Sequence, residues 1–119
     1  MPATLHDTGD NVYRLDISGV LGVADFDAVR QSAATEILRH RKIRLLVVLS
    51  QFAGWSRDSA WHDLSFYIQH GDDIERIAIV GEERWESEAL MFAGADLRKA
   101  AVKFFRPRDA VDARNWLTV

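Results

Sequence analysis

An α/β fold, with a mixed but mostly parallel sheet of about five strands and about four helices, is what this sequence predicts. The first indication is the run of five branched aliphatic residues at 45–49, which is typical of a strand buried on both faces of a parallel sheet. A second run of this kind, residues 76–81, ends in glycine. Segments of helical periodicity alternate with these strands, which indicates right-handed βαβ crossovers.

The N-terminal part of the chain predicts a β-hairpin, and this hairpin makes the sheet mixed. Residues 4–7 are typical of a short edge strand, and residues 8–11 have strong turn chemistry. Residues 12–18 alternate between apolar side chains on one side and polar ones on the other: Tyr13, Leu15 and Ile17 against Arg14, Asp16 and Ser18. We expect residues 19–22 to break this strand, because they begin and end with glycine.

Two helices are predicted around the central strand. The first has Asp25 as its N-cap and ends in the basic cluster 39–42, where cations suit the helix dipole. Its apolar stripe recurs at helical spacing: Phe26, Val29, Ala33 and Ile37. Residues 50–56 are predicted to be a loop. A second helix, capped by Ser56 or Asp58, follows it to about His70.

The C-terminal part of the chain predicts two more helices with a strand between them. Glu82 and Glu83 open the third helix at its favoured acidic end, and Gly94 stops it. Residues 102–105 are predicted to form a last short strand. Asp109 then caps a final helix, whose inward-facing residues are Ala110, Ala113 and Leu117.

Composition and charge limit the possible functions. The chain has 119 residues, of which 48% are hydrophobic and 28% charged, so we expect a single globular domain over residues 1–119. Its formal net charge of −3 comes from interspersed acids and bases, which argues against nucleic acid as a partner. No cysteine is present, which excludes disulfides and thiolate sites. No signal peptide or long apolar run is present, so we expect a cytoplasmic protein without integral membrane association.

The order and spacing of several segments resemble the SpoIIAA-like family, relatives of the STAS domains of anti-sigma-factor antagonists. The segments that carry the resemblance span nearly the whole chain: residues 42–47, 52–55, 76–81, 102–105 and 112–117. The resemblance implies a (βα) superhelical fold, which is also similar to the lipid-binding half of CRAL-TRIO proteins. It further implies a regulatory or interaction domain without enzymatic activity.

STAS regulators carry a phosphorylatable serine in an Asp-Ser-Ser-Gly-like motif at the start of the helix after the central strand. Here residues 58–61 read Asp-Ser-Ala-Trp, so the acceptor position is Ala60 and the motif is not intact. Ser59 and Ser56 remain possible phosphoacceptors, because anions are stabilised at a helix N-terminus. A serine that completes a helix cap is the simpler interpretation.

The sequence gives little support for catalytic or metal-ligating residues. Ser59 and His62 can touch at helical spacing, but Asp63 points to a different face and cannot orient the imidazole as a triad requires. His70 with two following aspartates does not reproduce a known ligand spacing. We therefore expect no catalytic residue, no metal and no cofactor.

Aromatic residues concentrate in one part of the chain, on the predicted loop and the helix after it: Phe52, Trp55, Trp61, Phe66 and Tyr67. One inward helix face cannot bury them all, so the surplus indicates ligand or partner binding. Two functions follow. The first is a regulatory or interaction domain that works through this surface, with a homodimer or another protein as the partner. The alternative is a small carrier that holds a lipid or other apolar molecule in a pocket beside the second helix.

Overall fold

A five-stranded mixed sheet forms the centre of the computed structural model, which describes residues 3–9, 11–40, 42–56, 74–92 and 101–118. The strands lie in the order of the sequence, as β1 Ala3–Asp7, β2 Val12–Leu21, β3 Ile43–Trp55, β4 Ile74–Val80 and β5 Ala101–Phe105. The described residues also form three α-helices, α1 Val23–His40, α2 Glu86–Phe92 and α3 Ala110–Leu117. The predicted fold class is confirmed, and the predicted second helix lies almost wholly outside the described residues.

The pairing of the strands follows the prediction of a hairpin and parallel crossovers. β1 and β2 are antiparallel, whereas β2, β3, β4 and β5 pair in parallel. The hairpin turn closes through two backbone bonds of 3.0 Å, from Thr8 N–H to the Val12 carbonyl and from Val12 N–H to the Gly9 carbonyl. Gly9 and Asn11 have φ of 89° and 61°, left-handed values that glycine and asparagine adopt most readily.

Strands β2 and β3 are both longer than predicted. The expected break at residues 19–22 is wrong, since β2 continues to Leu21, and the expected loop at residues 50–56 is instead β3 as far as Trp55. The two strands stay paired because register shifts absorb the irregular residues, so that Gly19 lies opposite Phe52 and Leu21 opposite Trp55. The loop signal of glycine and polar residues therefore marks bulges rather than the end of a strand.

Two helix starts differ from the prediction. α1 begins at Val23, and the Phe26 N–H donates to the Gly22 carbonyl at 3.0 Å, so Asp25 lies in the first turn rather than at the N-cap. After β4, the chain first forms a 3₁₀ turn, Glu83–Trp85, closed by the bond from Trp85 N–H to the Glu82 carbonyl at 2.9 Å. The tighter turn delays the α-helix to Glu86. The predicted stop at Gly94 lies outside the described residues.

The sheet carries a hydrophobic cluster on each face. α1 and α2 pack on one face, where Val29, Ala33 and Ala89 are buried against the strands. α3 packs on the other face, with Ala113 and Leu117 fully buried. Ala110 is exposed, contrary to prediction, because a side chain at the first helical position points back over the preceding turn. Within the described residues, none of the helices is long and apolar enough to cross a membrane.

Candidate ligand-binding cavity

A cavity of about 90 Å³ lies on the face of the sheet that α1 and α2 cover. Side chains of β1, β2, β3 and β4 form its floor, and residues of the two helices line the other side. Among the described lining residues, every one except Arg30 has an apolar or aromatic side chain. Such a lining binds by removing apolar surface from water, at about 25 cal/mol per Å².

Bulges in β3 bring its aromatic side chains to the cavity. In a regular strand, side chains three positions apart point to opposite faces. Leu49, Phe52 and Trp55 are three positions apart in turn, and all three line the cavity. Gln51 and Gly54 lie between them with φ of 51° and 105°, and the pairing with β2 shifts register here. Each extra residue turns the following part of the strand over, so Phe52 and Trp55 join the face of Leu49.

A cluster of aromatic rings closes the end of the cavity at the carboxyl end of β3. Phe52 contacts Trp55 and Trp85 edge to face, with ring centroids 4.9 and 5.0 Å apart. Trp55 also lies 5.4 Å from Phe92, which in turn lies 5.1 Å from Phe26. The Trp85 ring passes over Gly54, where a Cβ atom would lie 3.4 Å from the ring edge. These contacts join β3, α1, α2 and the 3₁₀ turn.

Two indole groups of this cluster hold buried donors. The Nε1 atoms of Trp55 and Trp85 are inaccessible to solvent, and neither has a hydrogen-bond acceptor in the part of the chain that the structure describes. A buried donor without an acceptor costs about 1–3 kcal/mol. Most buried donors in folded proteins have an acceptor, so these two indole groups are unusual. One of them belongs to Trp55, which is a lining residue of the cavity.

Arg30 is the one charged residue among the described lining residues. It follows Phe26 by one helical turn, which places both side chains on the same face of α1. Its side chain is 30% exposed, so it reaches from the cavity to water. Asp27 pairs with it, accepting from Nε at 2.8 Å and also from Nη2. The guanidinium is therefore held at the rim of an otherwise apolar site.

The predicted site residues fall into two groups. Phe52 is buried, Trp55 is half-buried, and both line the cavity, whereas Trp61, Phe66, Tyr67 and Ser59 lie outside the described residues. Ser56 follows β3, and its backbone N–H donates to the Leu21 carbonyl at 2.9 Å. The described cavity lies beside α1 and α2, and its relation to the predicted second helix lies outside the described residues.

The sequence pattern did not single out Arg30, Trp85 or Phe92 as site residues. Trp85 and Phe92 are seven residues apart in the segment that is predicted to form the third helix, and apolar residues at this helical spacing are equally typical of a core. An arginine beside an apolar helix stripe was a usable signal, since its aliphatic stem can pack inward. In the described ranges, no group of three or more histidine, aspartate or glutamate side chains could hold a metal ion.

The chain is similar to known proteins over most of its length. A family model described as SpoIIAA-like matches residues 12–118. No curated protein matches the sequence significantly. A solved structure, an uncharacterised protein of the DUF3478 family with a SpoIIAA-like fold from Shewanella loihica PV-4, is similar with a TM-score of 0.74 at 23% identity. The alignment covers 97% of this chain and 91% of that one, which shows a shared fold.

Proposed function

The chain belongs to the SpoIIAA-like family, and on that premise we propose that it is a non-enzymatic binding module that holds a small apolar ligand in its cavity. The observation that carries the proposal is the lining, in which all described residues except Arg30 are apolar. An apolar pocket with few polar groups is the usual form of a small-molecule site. The cavity runs along the face of the sheet, from Ile74 at the start of β4 to Trp55 at the end of β3.

The volume of the cavity limits the size of the ligand. At about 90 Å³, it is smaller than the roughly 150 Å³ of an engineered cavity that accepts benzene. A ligand with a chain of a few carbons fits this space. A long-chain lipid requires α1 or α2 to move away from the sheet.

A cavity-filling substitution tests the proposal. Ala33 is buried on α1 and lines the cavity, so Ala33→Leu adds three carbons to the space that the ligand needs. We expect the affinity for 1-pentanol, measured by NMR titration, to fall at least about tenfold in this variant. Ala110→Leu makes the same change at an exposed position of α3 and serves as the control.

The result that contradicts the proposal is equally clear. If wild-type protein shows no saturable binding of 1-pentanol, or if Ala33→Leu binds it as well as Ala110→Leu does, the cavity is not the site. Thermal unfolding of both variants separates a loss of binding from a loss of fold. We expect both to unfold cooperatively, since a buried alanine that borders a cavity has room for a larger side chain.

A regulatory or interaction domain without an intact phosphoserine motif is the second candidate, with a homodimer as the simplest assembly. The test is at Met91, an apolar side chain next to the cavity-lining Phe92 that is 79% exposed. If the dimer uses this surface, sedimentation gives a dimer in wild-type protein and a monomer in Met91→Ser, while the control Val111→Ser, at a position that is 72% exposed, stays dimeric. A wild-type monomer at every concentration excludes the homodimer.

Labelling of Ser56 or Ser59 by a kinase tests the phosphorylated version of this second candidate.

A further inference from the structure

Arg30 is the one charged residue among the described lining residues. Its aliphatic stem packs along the apolar cavity, and its side chain is 30% exposed, so its charged end reaches water. A guanidinium has five N–H donors and no acceptor. A ligand whose polar end accepts hydrogen bonds complements this group, whereas an ammonium group does not.

Asp27 fixes the direction in which Arg30 can bind. One oxygen of its carboxylate, Oδ1, accepts from Nε and Nη2 of the arginine, and its other oxygen accepts from Gln31 at 3.2 Å. Among the described residues, the pair uses two of the five guanidinium donors and leaves the Nη1 end of the group for another acceptor. Asp27 acts as a positioning residue, because it holds the guanidinium at the cavity rim.

Resting on the proposed cavity function, we propose that the ligand is a short-chain monocarboxylate, whose carboxylate binds Arg30 while its alkyl chain fills the cavity. The guanidinium donors that Asp27 does not use select a hydrogen-bond acceptor, and a planar carboxylate matches their geometry. The cavity volume of about 90 Å³ selects a short chain. The partial exposure of Arg30 keeps the carboxylate near water, so the ligand need not bury its charge completely.

Pentanoate and 1-pentanol test the head group, because they share an alkyl chain and differ in charge. In NMR titrations of the wild-type chain, we expect pentanoate to bind about tenfold more tightly than 1-pentanol. Arg30→Met keeps an apolar stem of similar length to that of arginine and removes the guanidinium, so pentanoate affinity falls about tenfold while 1-pentanol affinity stays within about twofold. Arg39→Met is the matched control, since Arg39 is 68% exposed on the same helix and pairs with Glu36.

The outcomes separate this inference from the proposed function. If 1-pentanol binds wild-type protein as tightly as pentanoate, the carboxylate has no partner and the inference is wrong, while the apolar site stands. An unchanged pentanoate affinity in Arg30→Met, or an equal loss in Arg39→Met, also overturns it. If neither compound binds, the proposed function fails together with the inference. The wild-type comparison holds even if a variant does not fold.

Discussion

Tyr13 joins the sheet to α1 through a partly buried hydrogen bond. Its side chain lies on the α1 face of β2, only 2% of the residue is exposed, and its hydroxyl donates to the Glu36 carboxylate at 2.9 Å. Burial, followed by this hydrogen bond, raises the pKa of Tyr13 to about 12. Both causes favour the neutral phenol, because ionisation would bury a negative charge beside a carboxylate.

The raised pKa predicts a loss of stability in alkali. The phenol pKa is about 10 in the unfolded chain and higher in the folded one, so the folded state holds the proton longer. Stability from this group is complete below about pH 10 and falls as the pH rises from 10 through 12. Urea unfolding at a series of pH values measures this fall, and Tyr13→Phe should remove this part of the pH dependence. An identical pH dependence in the two proteins contradicts the assignment.

At the level of single residues, the alternation of β2 correctly predicted that Tyr13 faces the core. The partner of its hydroxyl could not be predicted, because the contact depends on where a helix twenty residues later crosses the strand. The sheet face on which Phe52 and Trp55 lie could not be predicted either. Their common face depends on bulges at Gln51 and Gly54, which a periodic pattern cannot locate.

Two arginines of the sheet hold the C-terminal end of α3. Arg76 donates to the Trp116 carbonyl at 2.7 Å, and its guanidinium lies 5.4 Å from the centre of the Trp116 ring. Arg44 donates to the Leu117 carbonyl and lies 3.6 Å from the Glu75 carboxylate. The last carbonyls of a helix lack partners within the helix and carry partial negative charge. The two guanidinium groups satisfy them and attach α3 to β3 and β4.

Removal of one of these arginines should loosen α3. We expect Arg76→Met to lower the free energy of unfolding by about 1–2 kcal/mol, because a helix-end carbonyl loses a charged donor. Urea denaturation measures the change. Arg108→Met is the control, at an exposed position of a second 3₁₀ turn, Pro107–Asp109, which precedes α3, and it should change stability by less than about 0.5 kcal/mol. If both variants lose the same free energy of unfolding, the hydrogen bond from Arg76 to α3 does not stabilise the protein more than an exposed arginine does.

At the level of elements, strands and helices with strong periodicity were predicted in the right order. The predicted boundaries are wrong where a local sequence pattern is compatible with two structures. Glycines at positions 19 and 54 indicated a break and a loop, but pairing between β2 and β3 carries both strands past them. The acidic start at Glu82 indicated a helix, and a 3₁₀ turn takes the first positions instead. Neighbouring strands and turns decide such cases, and a single segment does not contain that information.

At the level of the whole molecule, the two hydrophobic clusters lie on opposite faces of the sheet. The cluster under α3, which includes Leu46, Ala113 and Leu117, packs the helix against the sheet. The cluster on the other face surrounds the cavity. The sequence predicted both faces as apolar, and it placed a pocket only through the surplus of aromatic residues. Whether two apolar faces meet fully or leave a space depends on side chains from several elements at once, which no linear pattern specifies.

The two clusters also provide the most direct test of the central claim, that the cavity beside α1 and α2 binds a small apolar ligand. The measurement is a methyl NMR titration of the wild-type chain with 1-pentanol. We expect saturable shifts of the Leu15, Val29 and Ala89 methyl groups, which line the cavity, and unchanged signals from Leu46, Ala113 and Leu117. Shifts in the α3 cluster alone, or no saturable shift in either cluster, would contradict the claim.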